Sequence, residues 1–202
     1  MISPKYKEKE LQIMRALLSL ISSGAGIGEI KTSDIADAAG LGKGTLYNYF
    51  ESKEDIFAKT IIYSIQTQLF TIFEQMRQAS GFKDKCYTVL RVINEIIMNK
   101  NSDFHLVLFN VGGRDMEQFF NGDLSFVREY LSIINEQVLL LAQLGRAEGV
   151  ILPPEDDEYT YSAFAGALMG FIHTRCRWET ADEQTVRHAM DNAYKILLKA
   201  LS

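Results

Sequence analysis

Apolar residues recur along this chain at spacings of three and four, the period of a helix with one buried face. Leu11, Met14, Leu18 and Ile21 share one such face. Ile56, Phe57, Ile61, Ile65, Leu69, Ile72, Phe73 and Met76 form a second, longer stripe. The run from Cys86 to Ile97 is apolar over a broad arc, which predicts a helix buried on most sides. Residues 124–144 form a long amphipathic stretch, and Val186, Met190, Tyr194, Leu197 and Leu201 stripe the last helix. The pattern predicts an all-α chain of about nine helices.

The breaks are of helical style. Ser80-Gly81 and the stretch Asn110 to Gly113 end helices, Gly149 closes a third, and Pro153-Pro154 followed by Glu-Asp-Asp-Glu opens the next with acidic residues in its first turn. Asn121-Gly122 fits a hairpin turn as well as a helix stop. With no strand to pair, the helix stop is preferred, with Asp123 capping the helix that follows. The first fifty or so residues break into short helices, 33–39 and 43–49 among them, and the later helices are long. The predicted organisation is a small module over 1–52 and a larger helical bundle over 53–202.

Charge sharpens that division. The net charge is -5, from 21 Lys and Arg against 26 Asp and Glu. Residues 1–60 hold eight of each, so 13 basic and 18 acidic residues remain and the bundle carries the whole excess. Its sign keeps the bundle off a polyanion but leaves the first module free to meet one. Cys86 and Cys176 lie in apolar helical runs, which points to buried free thiols in a reducing, cytoplasmic setting. The start, MISPKYKEKELQIM, has no apolar core of a signal peptide. No apolar run approaches the ~20 residues that span a bilayer, so no membrane partner is expected.

The stretch GLGKGTLYNYF (40–50) holds Gly-Lys-Gly-Thr and invites a phosphate-loop reading. A Walker-type loop, however, needs a glycine where Asp37 stands and a hydroxyl where Gly44 stands. It also needs a preceding strand, and TSDIADAAG has a helical pattern. Gly24, Gly26 and Gly28 are spaced GxGxG rather than GxGxxG and follow a helix. Two cysteines in different helices and three scattered histidines give no metal spacing. No nucleophile, base and acid assemble from the sequence, and Glu-Asp-Asp-Glu is explained as a charged helix start. An enzyme is not expected, nor any cofactor. The alternative kept open is an enzyme or ligand carrier in which the N-terminal motif is coincidental.

Residues 32–50, TSDIADAAGLGKGTLYNYF, read instead as a helix-turn-helix. Thr32 is placed to cap a helix that buries Ile35, Ala36 and Ala39. Gly40 allows a left-handed turn, and Leu41 plugs the space between two helices. The second helix starts near Lys43 and buries Leu46 and Phe50.

The run DIADAAGLGKGTLYNYFESKEDIF resembles the TetR family of bacterial transcriptional regulators. It has the family's Asp-Ile-Ala, Ala-Gly, Lys-Gly-Thr-Leu-Tyr, aromatic pair ending in Phe, and Ser-Lys-Glu before a hydrophobic pair. The motif covers about residues 11–58, and beyond it the likeness is only a run of long helices. The resemblance implies a sequence-specific DNA-binding regulator, most often a repressor released by a small molecule. Thr32 would donate to a phosphate, and Lys43, Gly44 and Thr45 would begin the recognition helix. Gly44 would let the backbone approach DNA, and Thr45 would meet a base edge or thymine methyl. Tyr47 and Tyr49 would brace phosphates, with Lys53 adding another contact. Tyr47 also fits a core position. Asn48 divides evenly between base contact and plain exposure, and Lys5, Lys7 and Lys9 between a basic arm and a frayed end. Gly42 departs from the family, many members having Ser or Thr there, and a hydroxyl contact is lost.

One small module binds DNA weakly, so two modules on a palindromic double-stranded operator imply a homodimer. The family pairs its last two helices across the dimer, and residues 155–178 and 182–201 match that role. The small-residue row Ala163, Ala167 and Gly170, with Met190 and Tyr194, is the expected interface; an internal helix crossing is the alternative. Aromatic residues crowd the bundle. Tyr63, Phe70, Phe109, Tyr130 and Phe171 are the candidate lining for an apolar or aromatic effector, with plain core packing as the alternative for each.

Overall fold

A computed structural model describes residues 6–99, 103–123, 125–152, 156–177 and 181–202, without the side chains of 104, 108 and 109. The described residues form ten α-helices and no strand: Glu8–Ser22 (α1), Thr32–Ala38 (α2), Lys43–Leu46 (α3), Lys53–Gln78 (α4), Gly81–Met98 (α5), Asp103–Asn110 (α6), Gly113–Phe120 (α7), Ser125–Ala147 (α8), Asp157–Arg177 (α9) and Glu183–Ala200 (α10). The all-α reading holds, with one helix more than expected.

The helices end where the breaks were read. Asn121 takes a left-handed conformation (φ 49°), and Gly122 donates its N–H to the Glu117 carbonyl at 3.1 Å. The pair is therefore a helix stop and not a hairpin, and Asp123 accepts from the Ser125 N–H at 2.9 Å as the expected cap of α8. Gly149 (φ +69°) closes α8. Pro153, Pro154 and Trp178 lie outside the described residues.

The chain packs as two compact units. The first is Met1–Phe70 with Asn99–Phe126, and the second is Thr71–Met98 with Val127–Ser202. In the first unit, Ile13, Met14, Leu17, Ile35, Leu46, Phe50, Ile56 and Phe57 are all but closed to solvent. Leu106, Val107 and Phe119 of α6 and α7 join this core, and the Phe119 ring stacks on Phe57 with centroids 4.4 Å apart. Short helices of four to eight residues are marginal alone, so burial of these side chains is what holds α2 and α3 in place.

In the second unit, α5, α8, α9 and α10 surround two clusters. One joins Phe82 and Cys86 to Leu141, Ala142, Ala167 and Leu197. The other joins Leu90 to Phe171, Ala189, Met190 and Ala193. Cys86 is buried as expected, and burial raises its thiol to about 12. Cys176 is exposed, contrary to expectation, because its position on α9 faces outward one residue past the buried Arg175. No described helix is long and apolar enough to cross a membrane.

Candidate nucleic-acid interface

The turn between α2 and α3 is built from the backbone outward. Gly40 sits at φ +64°, a conformation that costs a side-chain-bearing residue about 1–2 kcal/mol. The Leu41 N–H reaches the Ala36 carbonyl at 2.9 Å and the Gly40 N–H reaches the Asp37 carbonyl at 3.0 Å. This pair of bonds is the Schellman pattern that closes a helix at glycine. Leu41 then packs against the core, as its place between the helices required.

α3 is shorter than the expected 43–49. Its regular part ends at Leu46, and tighter bonds carry the turn on, from Asn48 N–H to Thr45 O (3.2 Å) and from Tyr49 N–H to Leu46 O (3.0 Å). Leu46 and Phe50 are buried, at 0% and 2% exposure, and anchor both ends of this segment. What remains outward is Lys43, Gly44, Tyr47 and Asn48, with Thr45 half-buried. Tyr47 is 50% exposed, which excludes the core reading for it within the subunit. Tyr49 is half-buried against the core cluster. From Leu41 to Phe50 there is one lysine and no carboxylate, so nothing on this strip repels a phosphate.

Gly44 stands apart from Gly40. Its φ is not positive, and a Cβ added there would meet nothing within 4 Å. Neither strain nor crowding inside the molecule calls for glycine at this position.

One expectation about a helix start needs correction, and a second start carries a cap that was not foreseen. Thr32 does not cap α2: it is already helical, and the extended Lys31 (φ -98°, ψ 159°) holds the cap position. Asp34 supplies the cap by accepting from the Lys31 N–H at 2.8 Å. At the start of α4, Ser52 accepts from the Asp55 N–H at 3.1 Å, and Asp55 accepts from the Glu51 N–H at 2.9 Å. The sequence reading missed both devices, although an acid three residues after the cap position is the signal that reveals them. Lys53 is half-buried at this helix start, its ammonium 5.7 Å from the centre of the Phe57 ring. Lys7 and Lys9 are exposed, while Lys5 lies outside the described residues.

The remaining candidates are scattered. Tyr63 packs edge-on to Tyr6, 5.7 Å between ring centres, and Phe70 is 39% exposed. Tyr130 and Phe171 are buried in the second unit, Phe171 within a core cluster, and the Phe109 side chain is outside the described residues. Of the expected dimer row, Ala167 and Met190 are buried inside their own subunit, and Ala163 and Tyr194 pack against one of its cores. Gly170 alone among the five is exposed.

Known proteins carry the same elements. Residues 13–60 match the family model described as bacterial regulatory proteins, tetR family. A stretch of 88 residues is 34% identical to the nucleoid occlusion factor SlmA of Actinobacillus pleuropneumoniae serotype 5b (strain L20), covering 42% of this chain and 44% of that protein. The corresponding figures for the SlmA of Pasteurella multocida (strain Pm70) are 31% over 103 residues, with 51% and 48% covered. The chain thus spans about half the length of the curated relatives it matches. Over nearly its whole length it shares the fold of the fatty acid degradation regulator FadR from Bacillus halodurans (TM-score 0.67, 20% identity, 96% and 97% covered). It likewise shares the fold of a TetR transcription regulator from Haloarcula marismortui ATCC 43049 (TM-score 0.68, 16% identity, 98% and 100% covered). Motif, domain model and whole-chain fold agree: residues 13–60 match the tetR family of bacterial regulatory proteins, and over nearly its whole length the chain shares the fold of solved TetR regulators.

Proposed function

We propose that this chain is a sequence-specific DNA-binding transcriptional regulator, a repressor that reads a palindromic operator as a homodimer and is released by a small-molecule effector. The observation that carries the DNA contact is the outward strip of Lys43, Gly44, Tyr47 and Asn48, with a glycine no internal contact demands. A missing Cβ on the exposed face of an anchored helix lets a phosphate backbone or base edge approach the main chain. Thr32, Thr45, Tyr49 and Lys53 flank the strip as secondary contacts. Residues 1–52 serve as the reader and 53–202 as the ligand-binding and dimerisation part. Met169 on α9 and Ile196 on α10, 60% and 53% exposed, with Gly166 and Gly170 beside Met169, are the face for the partner copy. The apolar or aromatic effector uses residues from the set Tyr63, Phe70, Phe109, Tyr130 and Phe171. It releases DNA by moving α4 and so changing the spacing of the two readers.

The test is selection of bound duplexes from a random pool by the purified chain, then titration of the winner at several salt concentrations. A palindrome should emerge, and its affinity should fall steeply with salt. Lys43→Ala with Tyr47→Ala should abolish the preference, and equal binding by that double variant would refute the interface. A thermal-shift screen of apolar and aromatic metabolites should find one that raises the melting temperature and weakens duplex binding. The curated relatives favour a second reading, a DNA-bound nucleoid occlusion factor. Chromatin immunoprecipitation separates the two, since a repressor occupies a few promoters and an occlusion factor many dispersed sites.

A further inference from the structure

At the α2–α3 turn, the Ala39 carbonyl takes its hydrogen bond from another helix. The Schellman bonds occupy Ala36 and Asp37, and Ala39, the last residue before the turn, lies beyond them. Gln12, 27 residues earlier on α1, donates its Nε2–H to the Ala39 carbonyl at 2.7 Å in a partly buried contact. The other end of the same amide is also engaged, because Lys9 Nζ donates to Gln12 Oε1 at 3.0 Å. A carbonyl demands a donor and an ammonium demands an acceptor, so the two contacts agree on one orientation of the amide. Glutamate, leucine or methionine at this position cannot satisfy both.

We propose that Gln12 is a positioning residue for DNA reading: it ties α1 to the turn and thereby fixes the direction in which α3 presents Lys43, Gly44 and Tyr47. The inference rests on the DNA-binding reading above. Gln12 itself touches no DNA in this account. Its bond lies at the pivot, one residue before Gly40, where a small rotation is carried to every side chain of the strip. Core burial of Leu46 and Phe50 holds α3 onto the domain, but apolar packing is non-directional and leaves small tilts open. A directed hydrogen bond at the pivot removes that freedom. The contact joins residues that local sequence patterns do not link, so no motif reveals it.

The experiment uses the full chain with Gln12→Leu and Gln12→Glu. Each is measured for melting temperature, for affinity to the duplex selected by the wild type, and for affinity to a scrambled duplex of equal length. Gln12→Leu should weaken the selected duplex by about three- to tenfold, the range for one lost side-chain hydrogen bond. It should leave the scrambled duplex near wild type and lower the melting temperature by only about 1–6 °C, the share of one hydrogen bond in the stability of the free chain. Gln12→Glu, which sets a carboxylate against a carbonyl, should weaken the selected duplex further. Hydrogen exchange followed by mass spectrometry should show faster exchange over residues 39–42 in both variants, with α1 unchanged. Equal affinity of Gln12→Leu and wild type for the selected duplex overturns the proposal. So does an equal loss on both duplexes, which marks a general loss of fold. Should the wild type select no sequence, the DNA reading fails and this role with it, whereas faster exchange at 39–42 would then mark Gln12 as a purely structural tie.

Discussion

Replacing Gly44 by alanine separates the demands of folding from those of binding, because the two predict opposite signs. The backbone there is helical, and an added Cβ has no neighbour within 4 Å. In a long helix interior, alanine is favoured over glycine by about 1 kcal/mol. Gly44 is the second residue of a four-residue helix, so roughly half of that gain, about 0.5 kcal/mol, is expected. For a chain of this size that raises the melting temperature by about 1–2 °C. On the proposed interface the same methyl would stand between the main chain and DNA, once in each subunit of the dimer. A loss of about 0.7 kcal/mol at each copy gives about tenfold weaker binding by the dimer. Differential scanning calorimetry and fluorescence anisotropy on the selected duplex, in one buffer, read both quantities. A variant that is more stable and binds as tightly as wild type would show that no close approach occurs at Gly44. A variant that melts lower would show that the local account is wrong. Gly40→Ala is the control: at φ +64° it should lose about 1–2 kcal/mol of stability before any DNA is added.

Three further outcomes concern the second unit. Gly145→Ala should lower stability by about 1–2 kcal/mol, since its Cβ would lie 2.8 Å from Cδ2 of the fully buried Phe82 and only part of that clash is offset by helix propensity; chemical denaturation with wild-type slope checks it. Glu148→Ala should cost about 1 kcal/mol by the same assay, because the Glu148 carboxylate accepts from the Phe82 N–H at 3.1 and 3.0 Å and caps α5. The Cys86 thiol is raised by burial from 9.0 to about 12, so the folded chain holds the proton that the unfolded chain releases first. That contribution is intact below pH 9.0 and is lost as the pH rises towards about 12; Cys86→Ala should flatten the fall of melting temperature across that window, and Cys86 should resist alkylation until the chain unfolds.

The helix-turn-helix was legible in the sequence because its geometry is local. Gly40 announces its positive φ, and the order of Ile35, Leu46 and Phe50 fixes which sides of α2 and α3 face inward. Those burials leave Lys43, Tyr47 and Asn48 only the outside. The α7–α8 stop was equally readable, since Asn121 and Gly122 adopt the conformation their short or absent side chains favour. Thr32 was misread for a local reason as well: hydroxyls make good caps, but here the acid two residues later closes the backbone of Lys31 instead.

The bundle was less legible because its small residues occur in two rows that the sequence does not rank. On α9, Ala163 and Ala167 are four apart, and so are Gly166 and Gly170. The rows are offset by three residues, so each is a continuous small-residue stripe at helical spacing. The first points into the subunit, where Ala167 lies in the core with Phe82 and Leu197. The second points outward beside Met169. Small residues permit close approach on either side, so composition tells that α9 is crossed closely but not by what. The sorting comes from large residues on other helices, whose positions no local pattern encodes. The same reasoning sets a test of the proposed subunit interface: a charge at Met169, as Met169→Glu, should dissociate a dimer while leaving the monomer folded. A substitution at Ala167 should unfold the subunit first, and size-exclusion chromatography alongside circular dichroism distinguishes the two.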